Sequence, residues 1–188
     1  MEHYFIHSLK KYGHLSENSE QELLNHIKHI YKNKGTFLSK KGQIDDNLYI
    51  AEKGIIRFYS VIADKERTNW FCTEGMTAFT SLSFFAGKPS NEYLELLEDS
   101  SIYYISKKAL EKLYQRNVEI ANIGRKIAEE YCLEFEHRVA VLHTQSAQKK
   151  YKTLITQTPE IIQRVSLGSI ASYLGVTQET LSRIRRKV

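Results

Sequence analysis

Three observations assign this 188-residue chain to the α+β class. Its first half is a series of short, glycine-punctuated runs, a long unbroken amphipathic stretch follows, and the end is helical and basic. The short runs are GTFLS, NLYIAE, GIIRFYSV, RTNWFCT, YLELLED and SIYYIS, rich in Tyr, Phe, Ile and Thr. Gly35, Gly42, Gly54, Gly75 and Gly87 punctuate them, and Asp45-Asp46 and Ala63-Asp64 fit turns. Many short strands with regular turns predict an antiparallel roll or sandwich, not a parallel sheet. Ahead of them, LSENSEQELLNHIKHI offers Ser16 as an N-cap. Leu23, Leu24, Ile27 and Ile30 follow at helical spacing, which predicts a helix running to Ile30.

After Ser106 the glycine punctuation stops. KKALEKLYQRN predicts one short helix. VEIANIGRKIAEEYCLEFEHRVAVLH predicts a helix about 40 Å long at ~1.5 Å per residue. Its apolar positions Ile120, Ile123, Ile127, Tyr131, Phe135, Val139 and Leu142 step by three and four. A stripe of that length usually exceeds what one small domain covers, which favours self-association over a helix packed wholly on its own roll, and Ile120, Ile123, Ile127, Tyr131 and Phe135 are expected to form a dimer face. Gly124 would permit close helix approach. The expected organisation is a roll over 1–115, a dimerisation helix over 116–145 and an all-helical unit over 146–188.

With 41% hydrophobic and 26% charged residues, the chain has material for a real core. The net charge of +5 is unevenly placed. From Ser146 onward eight Lys and Arg face two Glu, so this segment carries +6 and residues 1–145 carry −1. Such asymmetry suits an end that meets a polyanion, although a merely solubilising end has the same signature. Cys72 and Cys132 are too few for a disulfide framework and fit a reducing compartment. No apolar run suits a signal peptide or approaches the ~20 residues of a membrane span, so a cytoplasmic location is expected.

The closing stretch SIASYLGVTQETLSRIRRKV meets the requirements of a helix-turn-helix. Ile170, Leu174, Val176, Leu181 and Ile184 are its apolar positions, and Ala171 is small where the helices cross. Gly175 can take a left-handed turn conformation, and Ser166 and Thr177 stand at the two N-caps. With Leu181 and Ile184 inward, Gln178, Glu179, Ser182, Arg183 and Arg186 are left outward, able to reach base edges or phosphates.

In this order of parts, and most sharply in LGSIASYLGVTQETLSRIRRK, the chain resembles the cyclic-AMP receptor protein and Fnr (Crp/Fnr) family of bacterial transcription regulators. The resemblance implies a double-stranded β-roll (jelly roll) with flanking helices and a homodimer through the long helix. It also implies two recognition helices about 34 Å apart on near-palindromic double-stranded DNA. The family's base-reading Glu and Arg fall on Glu179 and Arg183, with Gln178 just before them. Gln favours adenine, so the half-site is expected to differ from that of the cyclic-AMP receptor protein. Ser166, Thr177, Ser182 and Arg186 are the expected phosphate contacts, and RNA polymerase is the partner that the resemblance implies. The family's β-hairpin wing is expected to be missing or replaced after the recognition helix, with the basic RIRRK stretch partly offsetting it.

The resemblance also locates the effector pocket. The family holds a cyclic nucleotide with a Gly-Glu pair on the ribose and an Arg-Ser pair on the phosphate. Here Thr80 stands at the Glu and Ser90-Asn91 at the Arg-Ser, with Lys88 nearby. Without the bidentate guanidinium, no tight cyclic-AMP binding is expected. Another small effector, apolar or aromatic in view of Phe79, Phe84, Phe85 and Tyr93, and a pocket with no ligand both remain open. No cofactor is expected. Two cysteines cannot supply an iron–sulfur cluster, and no histidine lies between His29 and His137 to hold haem or a cupin-type metal in the roll. No catalytic signature appears, so an enzyme is not expected. The rival reading is a ligand-binding or scaffold roll whose helical hairpin meets protein.

Overall fold

A computed structural model describes residues 3–187. Helix α1 (Tyr4–Leu9) and a 3-10 turn (Lys10–Tyr12) lead to α2 (Glu17–Leu24). Eight strands follow: β1 (Lys28–Lys32), β2 (Phe37–Ser39), β3 (Asn47–Lys53), β4 (Ile56–Ile62), β5 (Lys65–Cys72), β6 (Thr77–Ala78), β7 (Tyr93–Leu96) and β8 (Ser100–Ser106). Helix α3 (Ser81–Ala86) lies between β6 and β7. The rest is helical: α4 (Lys107–Tyr114), α5 (Val118–Thr144), α6 (Ala147–Gln157), α7 (Pro159–Arg164), α8 (Leu167–Leu174) and α9 (Gln178–Arg185).

The strands form two four-stranded sheets, ordered β1-β8-β3-β6 and β2-β7-β4-β5. β8 pairs antiparallel with both β1 and β3, and β2 pairs antiparallel with β7. This is the expected β-roll, with all six strand-like runs in place. Leu94, Leu96, Ile102, Ile105, Ile50 and Ile56 fill its core at 1% exposure or less. At the β4–β5 turn Ala63 and Asp64 take φ of 48° and 59°, the consecutive left-handed pair of a two-residue hairpin. Gly54 is obligatory for a different reason. It lies at φ 119°, and a β-carbon there would stand 2.1 Å from Ser100 Oγ.

The first helix is shorter than its apolar spacing predicts. α2 ends at Leu24, and Ile27–Ile30 belong instead to the approach and body of β1. Pairing of Ile30 with Ile102 and His29 with Tyr103 outweighs local helical periodicity.

The chain divides into two compact units. The first is the chain up to Phe58 with Phe71–Glu130, and the second is Tyr59–Trp70 with the chain from Tyr131 onward. These limits differ from the expected 1–115, 116–145 and 146–188. The cut falls inside α5, and the outer part of the β4–β5 hairpin groups with the C-terminal helices.

Within the first unit the start of α5 is fastened by polar contacts. Asn117 Oδ1 accepts from the amides of Glu119 and Ile120 at 3.1 and 3.2 Å. Glu119 Oε2 accepts from the Ser16 amide and hydroxyl, each at 2.8 Å, and from the Ser19 hydroxyl at 2.6 Å. These donors hold its carboxyl down to about 2. Gly124 is also used within the chain: a β-carbon there would lie 2.5 Å from Tyr114 Oη, so α4 and not a second copy occupies its surface. No helix among the described residues is long and apolar enough to cross a membrane.

A carboxylate with a depressed pKa stabilises the fold above its unfolded pKa, and that contribution is lost as pH falls through the folded value. Glu119→Gln should therefore lower Tm at pH 5 and above. The gap between variant and wild type should close between about pH 4.5 and 2, as read by circular dichroism melts.

Candidate nucleic-acid interface

The last two helices are built by their caps. Ser166 Oγ accepts from the Ser169 amide at 3.2 Å to start α8, and Thr177 Oγ1 accepts from the Thr180 amide at 3.2 Å to start α9. Between them Gly175 takes φ 69°, and the Val176 amide bonds back to the Ala171 carbonyl at 3.0 Å. Ile170, Ala171, Leu174 and Leu181 are all at 2% exposure or less, and Ile184 is half-buried. That packing leaves Gln178, Glu179, Arg183 and Arg186 exposed, with Ser182 half-buried.

The hydrogen bonds on this face bear on what each residue can do. Arg183 Nη2 donates to Thr180 Oγ1 at 3.3 Å, and Thr177 Oγ1 donates to the same hydroxyl at 3.1 Å. Thr177, the local backbone and Arg183 together lower the Glu179 carboxyl below its ordinary value, so it is an ionised acceptor at neutral pH. Ser166 is exposed, but its hydroxyl donates to Ser169 Oγ at 2.9 Å. Ser166 and Thr177 thus have structural duties as caps besides any phosphate contact. Lys150, which sequence reasoning did not single out, donates Nζ to the carbonyls of Leu142 at 3.0 Å and Leu174 at 3.4 Å. It closes the C-terminal ends of α5 and α8 at once.

The residues expected on the dimer face separate. Ile120, Ile123 and Ile127 are 1%, 3% and 6% exposed and line an apolar cavity with Phe5, Leu9 and Leu23. They belong to the core of the first unit and are removed from the candidate interface. Tyr131 is half-buried, and its ring lies 6.4 Å from that of Phe135. Phe135, Val139 and Leu142 are 59%, 39% and 38% exposed, an outward stripe spaced i, i+4, i+7. The correction has a geometric cause: each i+4 step overshoots a full turn by about 40°. Two such steps, from Ile127 through Tyr131 to Phe135, carry the stripe from inside to outside. The inward positions of the second half are instead Arg138 and Val141, at 8% and 9% exposure.

The pocket residues also divide. Thr80 is 1% exposed, and its hydroxyl donates to the Asp45 carbonyl at 3.4 Å. Ser90, 2% exposed, donates to the Glu92 carbonyl at 3.0 Å and accepts from the Glu92 amide at 3.0 Å. Lys88 and Asn91 are exposed. Phe79 and Phe84 are buried, with ring centroids 5.0 Å apart, and Phe85 meets both edge-on. Beside Thr80, Asp45 accepts from Asn47 Nδ2 at 2.8 Å and Tyr49 Oη at 3.0 Å, while burial raises its carboxyl pKa. The Thr80 and Ser90 hydroxyls and Asp45 Oδ1 are turned onto the protein itself, while Asp45 Oδ2 is buried without a hydrogen-bond partner. Among the described residues no three His, Cys, Asp or Glu side chains gather as metal ligands.

A β-roll, a long helix and a helix-turn-helix in this order define a Crp/Fnr-like fold. Residues 30–117 match the cyclic nucleotide-binding domain family. The structure of FixK2 from Bradyrhizobium japonicum is similar at TM-score 0.72 and 19% identity, over 86% of this chain and 83% of that one. The c-di-GMP responsive global regulator CLP of Xanthomonas campestris is similar at TM-score 0.69 and 17% identity, over 92% and 91%. The catabolite activator protein of Thermus thermophilus is similar at TM-score 0.60 and 15% identity, over 96% and 85%. No curated protein matches the chain by sequence.

Gly175→Ala should cost about 1–2 kcal/mol through its left-handed φ, and Gly175→Asn less, as read from urea melts of the helical signal.

Proposed function

We propose that the chain is a sequence-specific DNA-binding transcription regulator of the Crp/Fnr type, acting as a homodimer. The observation that carries this reading is the outer face of α9. Gln178, Glu179 and Arg183 are exposed on a helix whose opposite side is anchored by Leu181. An ionised Glu accepts from cytosine N4, Arg donates to guanine O6 and N7, and Gln pairs with adenine, so these three are the base readers. Arg186 and Ser182 hold phosphates, as do Ser166 and Thr177 where their cap geometry allows. The +6 of the C-terminal segment supports attraction to the same polyanion.

The exposed stripe Phe135, Val139 and Leu142 pairs with its copy and spaces two recognition helices one turn of DNA apart. RNA polymerase is the downstream partner of such a dimer. The pocket does not take cyclic AMP, because Ser90-Asn91 lacks a guanidinium for the phosphate and the Thr80 and Ser90 hydroxyls serve the main chain. The fold's recurrence in FixK2 and CLP supports the reading at the level of architecture.

Selection of the purified, ligand-free protein on random duplex DNA tests this directly: a two-fold-symmetric enriched site is expected, and retention without enrichment counts against it. Arg183→Ala should relax selectivity at one position per half-site by about 1–3 kcal/mol. Arg186→Ala should instead weaken all duplexes alike and reduce the salt slope by about one. Phe135→Glu should yield monomers in sedimentation equilibrium at micromolar concentration while leaving the melting of the roll unchanged.

A further inference from the structure

We infer that Ser172 and Arg138 are positioning residues for the DNA-reading helix, acting by fastening the β4–β5 hairpin to helix α8. The consequence for DNA presupposes the regulator reading above, while the fastening itself rests on contacts within the second unit. Strand β5 lies at the edge of its sheet, so its outward amides and carbonyls need partners from outside the ladder. Ser172 supplies them with one hydroxyl. The Thr68 amide donates to Ser172 Oγ at 2.9 Å, and Ser172 Oγ donates to the Glu66 carbonyl at 3.0 Å. The helix side chain thus takes the place of a neighbouring strand at one rung of the edge, and Thr68 is 3% exposed there.

The next residue is held from two directions. The Arg138 guanidinium lies 3.7 Å from the centroid of the Tyr173 ring, and Arg138 Nη2 also donates to the Tyr173 carbonyl. Trp70, from the base of the hairpin, meets the same ring edge-on at 6.4 Å. Arg138 is 8% exposed, and burial lowers its pKa, so the ring and carbonyl compensate a charge that would otherwise be poorly solvated. Helix α8 ends at Leu174, one residue on, and turns through Gly175 into α9. With Leu181 of α9 fully buried, displacement of α8 displaces α9. Tyr59–Trp70 is accordingly part of the DNA-binding unit although its strands begin and end in the roll.

The test uses the full chain with Ser172→Ala, Ser172→Thr and Arg138→Gln. Each is titrated at fixed salt against duplexes bearing two selected half-sites or one. In parallel, amide hydrogen exchange of residues 59–70 is followed in the protein alone. Ser172→Ala and Arg138→Gln should weaken binding to the two-half-site duplex on the order of tenfold, the scale of one net hydrogen bond, and leave the single half-site unchanged. Ser172→Thr, which keeps the hydroxyl, should restore tight binding. Equal losses on both duplexes would make the residues mere supports of the helical unit and overturn the positioning role, as would no loss on either. Hairpin amides should exchange faster in Ser172→Ala, and unchanged protection overturns the fastening even if no DNA site is ever found. Failure of the wild type to select any site would instead sink the regulator reading.

Discussion

Each four-residue step along an α-helix overshoots one turn by about 40°, and α5 is built on that overshoot. Its first half spends Ile120, Ile123 and Ile127 on the core of the roll unit. Its second half keeps stepping by four, so Phe135 and Val139 rotate outward while Arg138 and Val141 take the inward positions. A single periodic pattern therefore does two things in succession: it packs within the chain, and then it leaves the exposed apolar stripe on which the proposed homodimer rests. The arginine on the inward face follows from the same rotation, since that position must be filled by whatever residue the register brings there. Arg138 finds in Tyr173 a ring and a carbonyl that suit it.

In the roll, the polar groups near Thr80 and Ser90 behave as structural elements. Thr80 and Ser90 bond to backbone, Asp45 collects Asn47 and Tyr49, and three phenylalanines close on one another. A pocket that binds a charged nucleotide needs donors facing empty space with their own main-chain needs already met. Here the hydroxyls are used for those needs.

The C-terminal helical pair shows the opposite economy. Its caps and its buried Leu181 and Ala171 settle the backbone, and Glu179, Arg183 and Arg186 are left to solvent. Thr180 sits at the meeting point of Thr177 and Arg183, which limits where the guanidinium rests before any partner arrives. The depressed Glu179 pKa has the same local origin, since Thr177, the local backbone and Arg183 all lie within one stretch of seven residues.

Much of this was legible in the sequence because it is local. N-caps, the left-handed glycine and the buried-position spacing of SIASYLGVTQETLSRIRRKV are all set within about twenty residues, and glycine-bounded Tyr/Phe/Ile runs mark six of the eight strands. Tertiary structure decided what depends on partners distant along the chain. β1 is a strand because β8 lies beside it, although its isoleucines are spaced for a helix. The inward face of α5 depends on where α1, α2 and α4 lie against it. Ser172 matters only because an edge strand more than a hundred residues earlier presents an amide and a carbonyl to it. Short-range periodicity encodes conformation, but which face is covered, and which hydroxyl becomes a bond, is settled only when remote segments compete for the same surface.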